Sequence, residues 1–391
     1  MRILWNRQVD QDSRWLSTSE PRPPVRALIV SRLYADAATR GKLRALAGLG
    51  CTIGAVVPAS WPPGPGHPPR ATEFGNDGGV RIFPVPVRGT DSDLAWESAG
   101  LRRALAEFRP DVVQLEEPPS SPVAAAVVRA AQRLGFRVTI FSSESLPLPL
   151  PLLARLRRDR VLRRAAGVIG GNRLAAGLLS DGRQVPTLVL PQTGVAPPLV
   201  AEPATRPGLA IGFVGRLVPE RGLDLLFRAC VRLSEPWTIH VAGTGPAQEE
   251  LEALAEKLGI AARVTWHGAL SRARLAELWP ALDCAALPSR TTPQWVEARG
   301  RTALEAMSHG LPVVVTASGA LPEVVGQAGR VVPEEGVDQL ALVLQDFAQD
   351  PKGRRALGAE ARRRVLAHYT DEAIAERTLA FWRTVSAGAS P

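Results

Sequence analysis

A chain of 391 residues exceeds what one ordinary core organises and predicts two domains of comparable size. Hydrophobic residues at 45% and charged residues at 22% exclude a disordered or low-complexity polypeptide. The net charge of +9 is almost wholly arginine, only Lys42, Lys257 and Lys352 being lysine. No aromatic–basic interleaving accompanies it, which argues against nucleic acid and leaves polyanionic ligands or anionic lipid as partners.

Cys51, Cys230 and Cys284 are too few and too scattered for a disulfide framework, so a reducing, cytoplasmic setting is expected. The five histidines show no zinc-ligand spacing, and neither a protein-held metal nor a cofactor is expected. No apolar run is long enough for a signal peptide or a membrane span.

Residues 1–24 are polar and proline-punctuated and read as an N-terminal extension. RALIVSRLY then predicts a buried strand, a helix follows from Thr39 to Leu49, and CTIGAVVP predicts a parallel strand. SWPPGPGHPPR, at 60–70, is too rich in Pro and Gly for a regular element, which leaves His67 in a surface loop. VRIFPVPV, a helix over 97–108 and DVVQLEEPP form the next unit. Its strand ends in Glu116 and Glu117, either a solvated acidic loop or an acceptor-binding or general-base pair. A helix over 122–134 leads to RVTIFSSESLP, which puts Ser142, Ser143 and Glu144 at another strand end facing the same cleft. Residues 152–166, LLARLRRDRVLRRAA, predict a basic helix with Leu152, Leu153, Leu156, Val161 and Leu162 on or near one side. Such a helix suits a peripheral membrane surface, and it equally suits an arginine-coated helix packed on its own domain. The strands GVIGGN and TLVLPQ close a domain spanning 25–195, followed by a Pro-rich linker at 196–208.

The second domain, 209–368, opens with LAIGFVGRLVPERG. Arg216 and Arg221 flank a turn after its strand, where Gly215 favours a ligand and guanidinium groups suit a pyrophosphate. Gly243 and Gly245 end the next strand and permit close approach of a ligand. WVEARGRTALEAMSHG, at 295–310, carries Glu297 and Glu305 with seven residues between them, on either side of a helix start at Gly300. The N–H groups of that helix's first turn form an anion site, and Gly310 closes the helix in a left-handed conformation. Three helices finish the chain, and the last, within 369–391, is long enough to pack back toward the first domain.

GFVGRLVPERG, VAGTGP, RVTWHG, the pair Glu297 and Glu305, and ALEAMSHGLPVVVTASGALPEVVG together resemble the retaining glycosyltransferases of family 4, glycosyl transferases of group 1. The resemblance is specific over 209–335 and looser in PDVVQLEEP, VLRRAAGVIGGN and LVLPQTGV. It implies the α/β GT-B fold, two Rossmann-like domains with parallel sheets facing a central cleft. It implies transfer of a hexose from a UDP- or GDP-sugar to a hydroxyl acceptor, whether glycan, lipid-linked saccharide or metabolite, without a metal. Carried over residue by residue, Arg216, Arg221 and Glu297 are catalytic and Gly215, Gly243, Gly245, Gly300, Arg301 and Glu305 bind donor. Glu116, Glu117 and Glu144 are acceptor-side candidates. Three departures accompany this: Arg221 stands where lysine is usual, SRLYADAATRGK lacks a glycine pair, and Ser142, Ser143 and Glu144 stand where many members carry a histidine. A binding or scaffold subunit with impaired catalysis, and a GT-B epimerase or phosphorylase, are the competing readings.

Overall fold

The structure, a computed structural model, describes residues 23–62, 69–72, 74–89, 95–147, 149–198 and 208–387. Most of the expected extension, His67 and most of the expected linker lie outside the described residues.

The first sheet is built from β1 (Arg26–Val30), β2 (Thr52–Pro58), β5 (Gly75–Asp77), β6 (Val80–Val85), β9 (Val112–Leu115), β10 (Arg137–Ser142), β11 (Gly167–Gly170) and β12 (Thr187–Val189). Between them run α1 (Gly41–Gly48), α2 (Ser98–Phe108), α3 (Pro122–Arg133), α4 (Leu152–Leu162) and α5 (Arg173–Ser180). Helices on both faces explain the continuous apolar runs: every residue of β9 and β11 is buried. The order is β12-β11-β10-β9-β1-β2-β6-β5, parallel throughout except for β5, which turns back on β6. Two short ladders lie outside it, β3 (Ser60–Trp61) with β4 (Arg70–Ala71) and β7 (Val87–Arg88) with β8 (Ala95–Trp96). The first of these corrects the expected irregular loop: its two ends pair antiparallel although its middle is Pro-rich.

The second sheet orders β13 (Leu209–Val214), β14 (Trp237–Ala242), β15 (Val264–Gly268), β16 (Cys284–Leu287), β17 (Val313–Thr316) and β18 (Arg330–Val332) as β15-β14-β13-β16-β17-β18, all parallel. Its helices are α6 (Leu223–Cys230), α7 (Gln248–Lys257), α8 (Arg272–Leu278), α9 (Arg301–Ser308), α10 (Leu321–Val325), α11 (Val337–Gln349) and α12 (Pro351–His368), and α13 (Asp371–Ser386) follows. In each sheet the strand order reverses beside the first strand, between β1 and β9 and between β13 and β16. Such a switch point opens a crevice beyond the strands' carboxyl ends.

Several boundaries differ from expectation for local reasons. The helix expected from Thr39 starts at Gly41, because Ser31 and Asp36 cap two short 3-10 turns ahead of it. Helix α8 stops at Leu278 and tightens into a 3-10 turn at Trp279–Ala281, where Pro280 offers no N–H. The basic helix stops at Leu162.

Helix α13 packs on the first sheet. Its Ile374, Leu379 and Phe381 join Leu43, Leu46 and Ile53 in one buried cluster. Trp382 is buried, and its indole Nε1 donates to Gln114 Oε1 on β9 at 2.8 Å. Trp382→Ala opens a cavity and strips the buried Gln114 amide of its donor, so a loss of about 3–5 kcal/mol is expected in urea unfolding followed by circular dichroism. A loss below about 1 kcal/mol would show that α13 is not part of that core.

Candidate active site

The donor-side candidates hang from β13, β14 and β16. Gly215 ends β13, and its N–H donates to Ala242 O at 2.9 Å. A Cβ on Gly243, whose φ is 145°, would lie 1.8 Å from the Gly215 carbonyl oxygen, and one on Gly245 would lie 2.2 Å from Leu217 O. The space these glycines open is therefore taken first by the neighbouring loop, which two backbones approach without side chains between them.

Arg221 sits in a 3-10 turn, Pro219–Arg221, and its guanidinium folds back over Gly215 to pair with the Glu297 carboxylate. The same guanidinium lies 5.9 Å from the Trp295 ring centroid. Arg216 is exposed and enters no ion pair among the described residues. Sequence reading missed Arg290, which braces this turn. It meets Asp224 through two bonds of 2.7 and 2.6 Å and donates to Pro219 O at 2.7 Å.

Glu297 turns its other oxygen to the Gly300 and Arg299 N–H groups, at 3.2 and 3.4 Å. Gly300 takes φ 58°, which aims the chain into α9. Within α9 the ladder begins with the Leu304 N–H on Gly300 O at 3.1 Å, so the N–H groups of Arg301, Thr302 and Ala303 lie outside it. Glu305, one turn further, accepts from Arg301 Nε at 2.9 Å, and Arg301 Nη1 reaches Thr193 Oγ1 at 3.3 Å. Arg216, Arg221, Glu297, Gly300, Arg301 and Glu305 thus share one end of the second sheet.

The acceptor-side candidates separate. Glu116 is buried, not a solvated loop acid: its carboxylate accepts from Lys42 Nζ at 2.8 Å, from Gln192 Nε2 at 3.0 Å and from Gln114. Glu117, across the β1–β9 switch point, accepts from the Arg32 N–H at 2.7 Å, with Arg32 Nε at 3.6 Å. Burial pushes its carboxyl from the ordinary 4.5 to about 7, with the Arg32 N–H and guanidinium opposing and the Glu116 charge adding to the rise. Glu144 is exposed just past β10.

A cavity of about 190 Å³ lies between the halves, with Ser143, Gly171 and Thr193 on one wall and Arg299, Arg301 and Leu304 on the other. Asn172, also missed in the sequence, is buried and joins the two halves: Nδ2 donates to Ala298 O and to Ser145 Oγ, each at 2.7 Å. Its Oδ1 meanwhile caps α5 through the Ala175 N–H. His267 has its ring stacked on that of His240, with a nitrogen–nitrogen distance of 3.1 Å. Among the described residues no group of three or more side chains is arranged to hold a metal ion.

The family model for glycosyl transferases group 1 matches residues 205–364, and that for a glycosyl transferase 4-like domain matches 35–171. A GDP-mannose-dependent alpha-(1-6)-phosphatidylinositol monomannoside mannosyltransferase of Mycolicibacterium smegmatis is 35% identical over 156 residues, 38% of this chain and 41% of that protein. A D-inositol 3-phosphate glycosyltransferase of Mycobacterium marinum is 34% identical over 182 residues, 44% of this chain and 38% of that protein. The match thus spans about two fifths of these relatives' own length. Among solved structures, Anabaena HepE in complex with UDP superposes with a TM-score of 0.66 at 17% identity, over 92% of this chain and 99% of that one. At that identity the likeness is one of fold.

Because the folded-state value of Glu117 lies above its ordinary one, the protonated form favours the fold. The stability this adds below pH 4.5 is lost as pH rises through 7. Relative to Glu117→Gln, the wild type should lose up to about 3 kcal/mol across that window in urea unfolding. Parallel pH profiles for the two proteins would overturn the assignment.

Proposed function

The chain belongs to the glycosyl transferases of group 1 and carries their two-domain GT-B fold, and from that membership we propose that it moves a hexose from a UDP- or GDP-sugar to a hydroxyl acceptor with retention at the anomeric carbon. One observation carries the proposal: Arg221, Glu297 and the start of α9 converge beyond β13 and β16. Two guanidinium groups and a helix N-terminus suit a diphosphate; two carboxylates eight positions apart suit the hydroxyl-rich groups at its ends.

On this reading the diphosphate lies against Arg216, Arg221 and the first-turn N–H groups of α9. Glu297 accepts from hydroxyls of the transferred sugar, and Glu305 from those of the ribose. Arg221 and Arg301 exchange their present carboxylate partners for phosphate as the donor enters. The bond from the anomeric carbon to the phosphate oxygen breaks while the acceptor oxygen bonds to that carbon on the same face. The acceptor's proton passes to the departing phosphate oxygen. The positive groups already in place stabilise the charge that builds there, without a protein-held metal. Glu144, exposed beyond the first sheet, is the acceptor-side contact of this reading, whereas Glu117 is buried against Arg32. The site works in the cytoplasm, where nucleotide sugars are the donors.

A nucleotide-sugar-binding subunit without turnover is the second reading, favoured by Ser143 and Glu144 standing where many members of the family carry a histidine.

Thermal unfolding with UDP, GDP, ADP and CDP tests the donor site. A nucleotide at 100 times its dissociation constant should stabilise the fold by about 2.7 kcal/mol, and Glu305→Ala should lose that shift. In transfer assays with the matching sugar donor, Arg216→Ala should lower kcat by about 10²–10³-fold. Nucleotide binding without transfer across an acceptor panel would favour the second reading, and no shift with any nucleotide would overturn both.

A further inference from the structure

The first domain carries a face that the active site does not use. Helix α4 buries only Val161 and Leu162. Leu152 and Leu153 are each 70% exposed and Leu156 is 55% exposed, so the apolar stripe legible in the sequence is not covered by the protein's own core. The later turns and the residues just after them carry Arg160, Arg163 and Arg164, all exposed. The ion pairs of this helix belong to Arg158, with Asp159 and Asp181 at 3.7 and 3.8 Å. Among the described residues Arg155, Arg160, Arg163 and Arg164 enter none.

The same chemistry continues onto the neighbouring helices. Between α3 and α4 runs a groove of about 530 Å³, floored by Ala125, Val128, Leu153 and Leu156 and rimmed by Arg129, Arg160 and Arg164. Arg129 also lines a second groove, between α2 and α3, beside Arg102 and Arg133. An arginine band therefore crosses three helices and ends at uncovered leucines.

We propose that this α2–α3–α4 face docks the protein on an anionic phospholipid bilayer, with the leucines of α4 at the acyl boundary and the arginine band on the lipid phosphates. Apolar side chains beside unpaired guanidinium groups match the two adjoining layers of such a surface. Each basic residue held near an anionic leaflet raises partitioning on the order of fivefold, which makes the arginines the larger contributors. Nucleic acid would satisfy the arginines but leave Leu152, Leu153 and Leu156 in water. No helix among the described residues is long and apolar enough to cross a membrane, so the contact is peripheral. The leucine-bearing end follows the loop that leaves β10, at the cleft end of the domain. Docking in that orientation sets the cleft beside the bilayer.

Co-sedimentation of the full chain with vesicles tests this without donor or acceptor, so its outcome is separate from that of the transferase reading. Wild-type protein should pellet with phosphatidylcholine–phosphatidylglycerol vesicles, not with phosphatidylcholine alone, and less as salt rises. Arg160→Glu with Arg164→Glu should weaken binding by more than about tenfold. Leu152→Gln with Leu153→Gln should weaken it at high and low salt alike. All four side chains are exposed, so unchanged circular dichroism and midpoint are expected of both variants. Equal pelleting with the two vesicle types, wild-type binding by both variants, or a dimer that the leucine variant dissociates would each overturn the proposal.

Discussion

Two opposite charges removed from water together constrain the first domain. Lys42 and Glu116 meet at 2.8 Å with both side chains essentially unexposed. Such a pair persists only where the remaining lone pairs and protons are also satisfied, because desolvation costs each ion several kcal/mol. The surroundings follow from that requirement. Lys42 fixes the rotation of α1 and lies 5.5 Å over the Tyr34 ring. Gln114 turns one end of its amide to Glu116 and the other to Trp382, which ties α13 to the central strand. Gln192 completes the carboxylate and anchors the chain where it leaves β12. One residue later Thr193 meets Arg301, which holds Glu305. A buried ion pair in one domain is thereby connected, bond by bond, to the donor side of the other.

In the second domain the constraint is close backbone approach rather than buried charge. The loops after β13 and β14 touch at Gly215 and Gly243 with no room for a side chain. That contact gives the Arg221 guanidinium a flat surface to cross on its way to Glu297. Arg290 then holds the turn from the opposite side through Asp224 and the Pro219 carbonyl. Each donor-side glutamate has an arginine partner, Arg221 for Glu297 and Arg301 for Glu305. These pairs hold the Arg221 and Arg301 guanidinium groups in position, and on the proposed reading phosphate replaces carboxylate there. Only Arg216 stands outside this exchange, exposed at the mouth.

The parts of this architecture that were legible in the sequence are those governed by local rules. Apolar runs marked the strands, Gly300 and Gly310 marked the ends of α9, and glycine followed by arginine marked the end of β13. The rest depends on partners distant in the chain. Nothing near Glu116 in sequence announces Lys42, 74 positions away, so the carboxylate read equally as a solvated loop acid or a cleft group when it is a buried ion-pair partner. Arg290 resembled any arginine after a strand, because Asp224 lies 66 positions earlier. GVIGGN read only as a strand, so neither the cap that Asn172 places on α5 nor the Ala298 carbonyl at its amide was visible before the fold brought them together. For α4 the periodicity gave an apolar stripe, but periodicity cannot say whether anything covers it.

Asn172 also separates what each domain does alone from what they do together. The contacts that aim Arg221 at Glu297, cap the bend with the Glu297 carboxylate and set Glu305 on α9 all lie within the second domain. Among the described residues polar connections cross between the halves, Asn172 to Ala298, Arg173 to Glu323 and Thr193 to Arg301, and Val195 packs among the second domain's apolar side chains. Polar contacts of this kind exchange readily with water and add little net free energy each. The donor-side arrangement would thus survive opening of the cleft, whereas the cavity that Ser143 shares with Arg299 and Arg301 would not. Asn172 bonds the carbonyl next to Glu297, so closure bears directly on the bend that holds this carboxylate. On the proposed transferase reading, donor recognition falls to one domain, and bringing an acceptor to the donor falls to the pair.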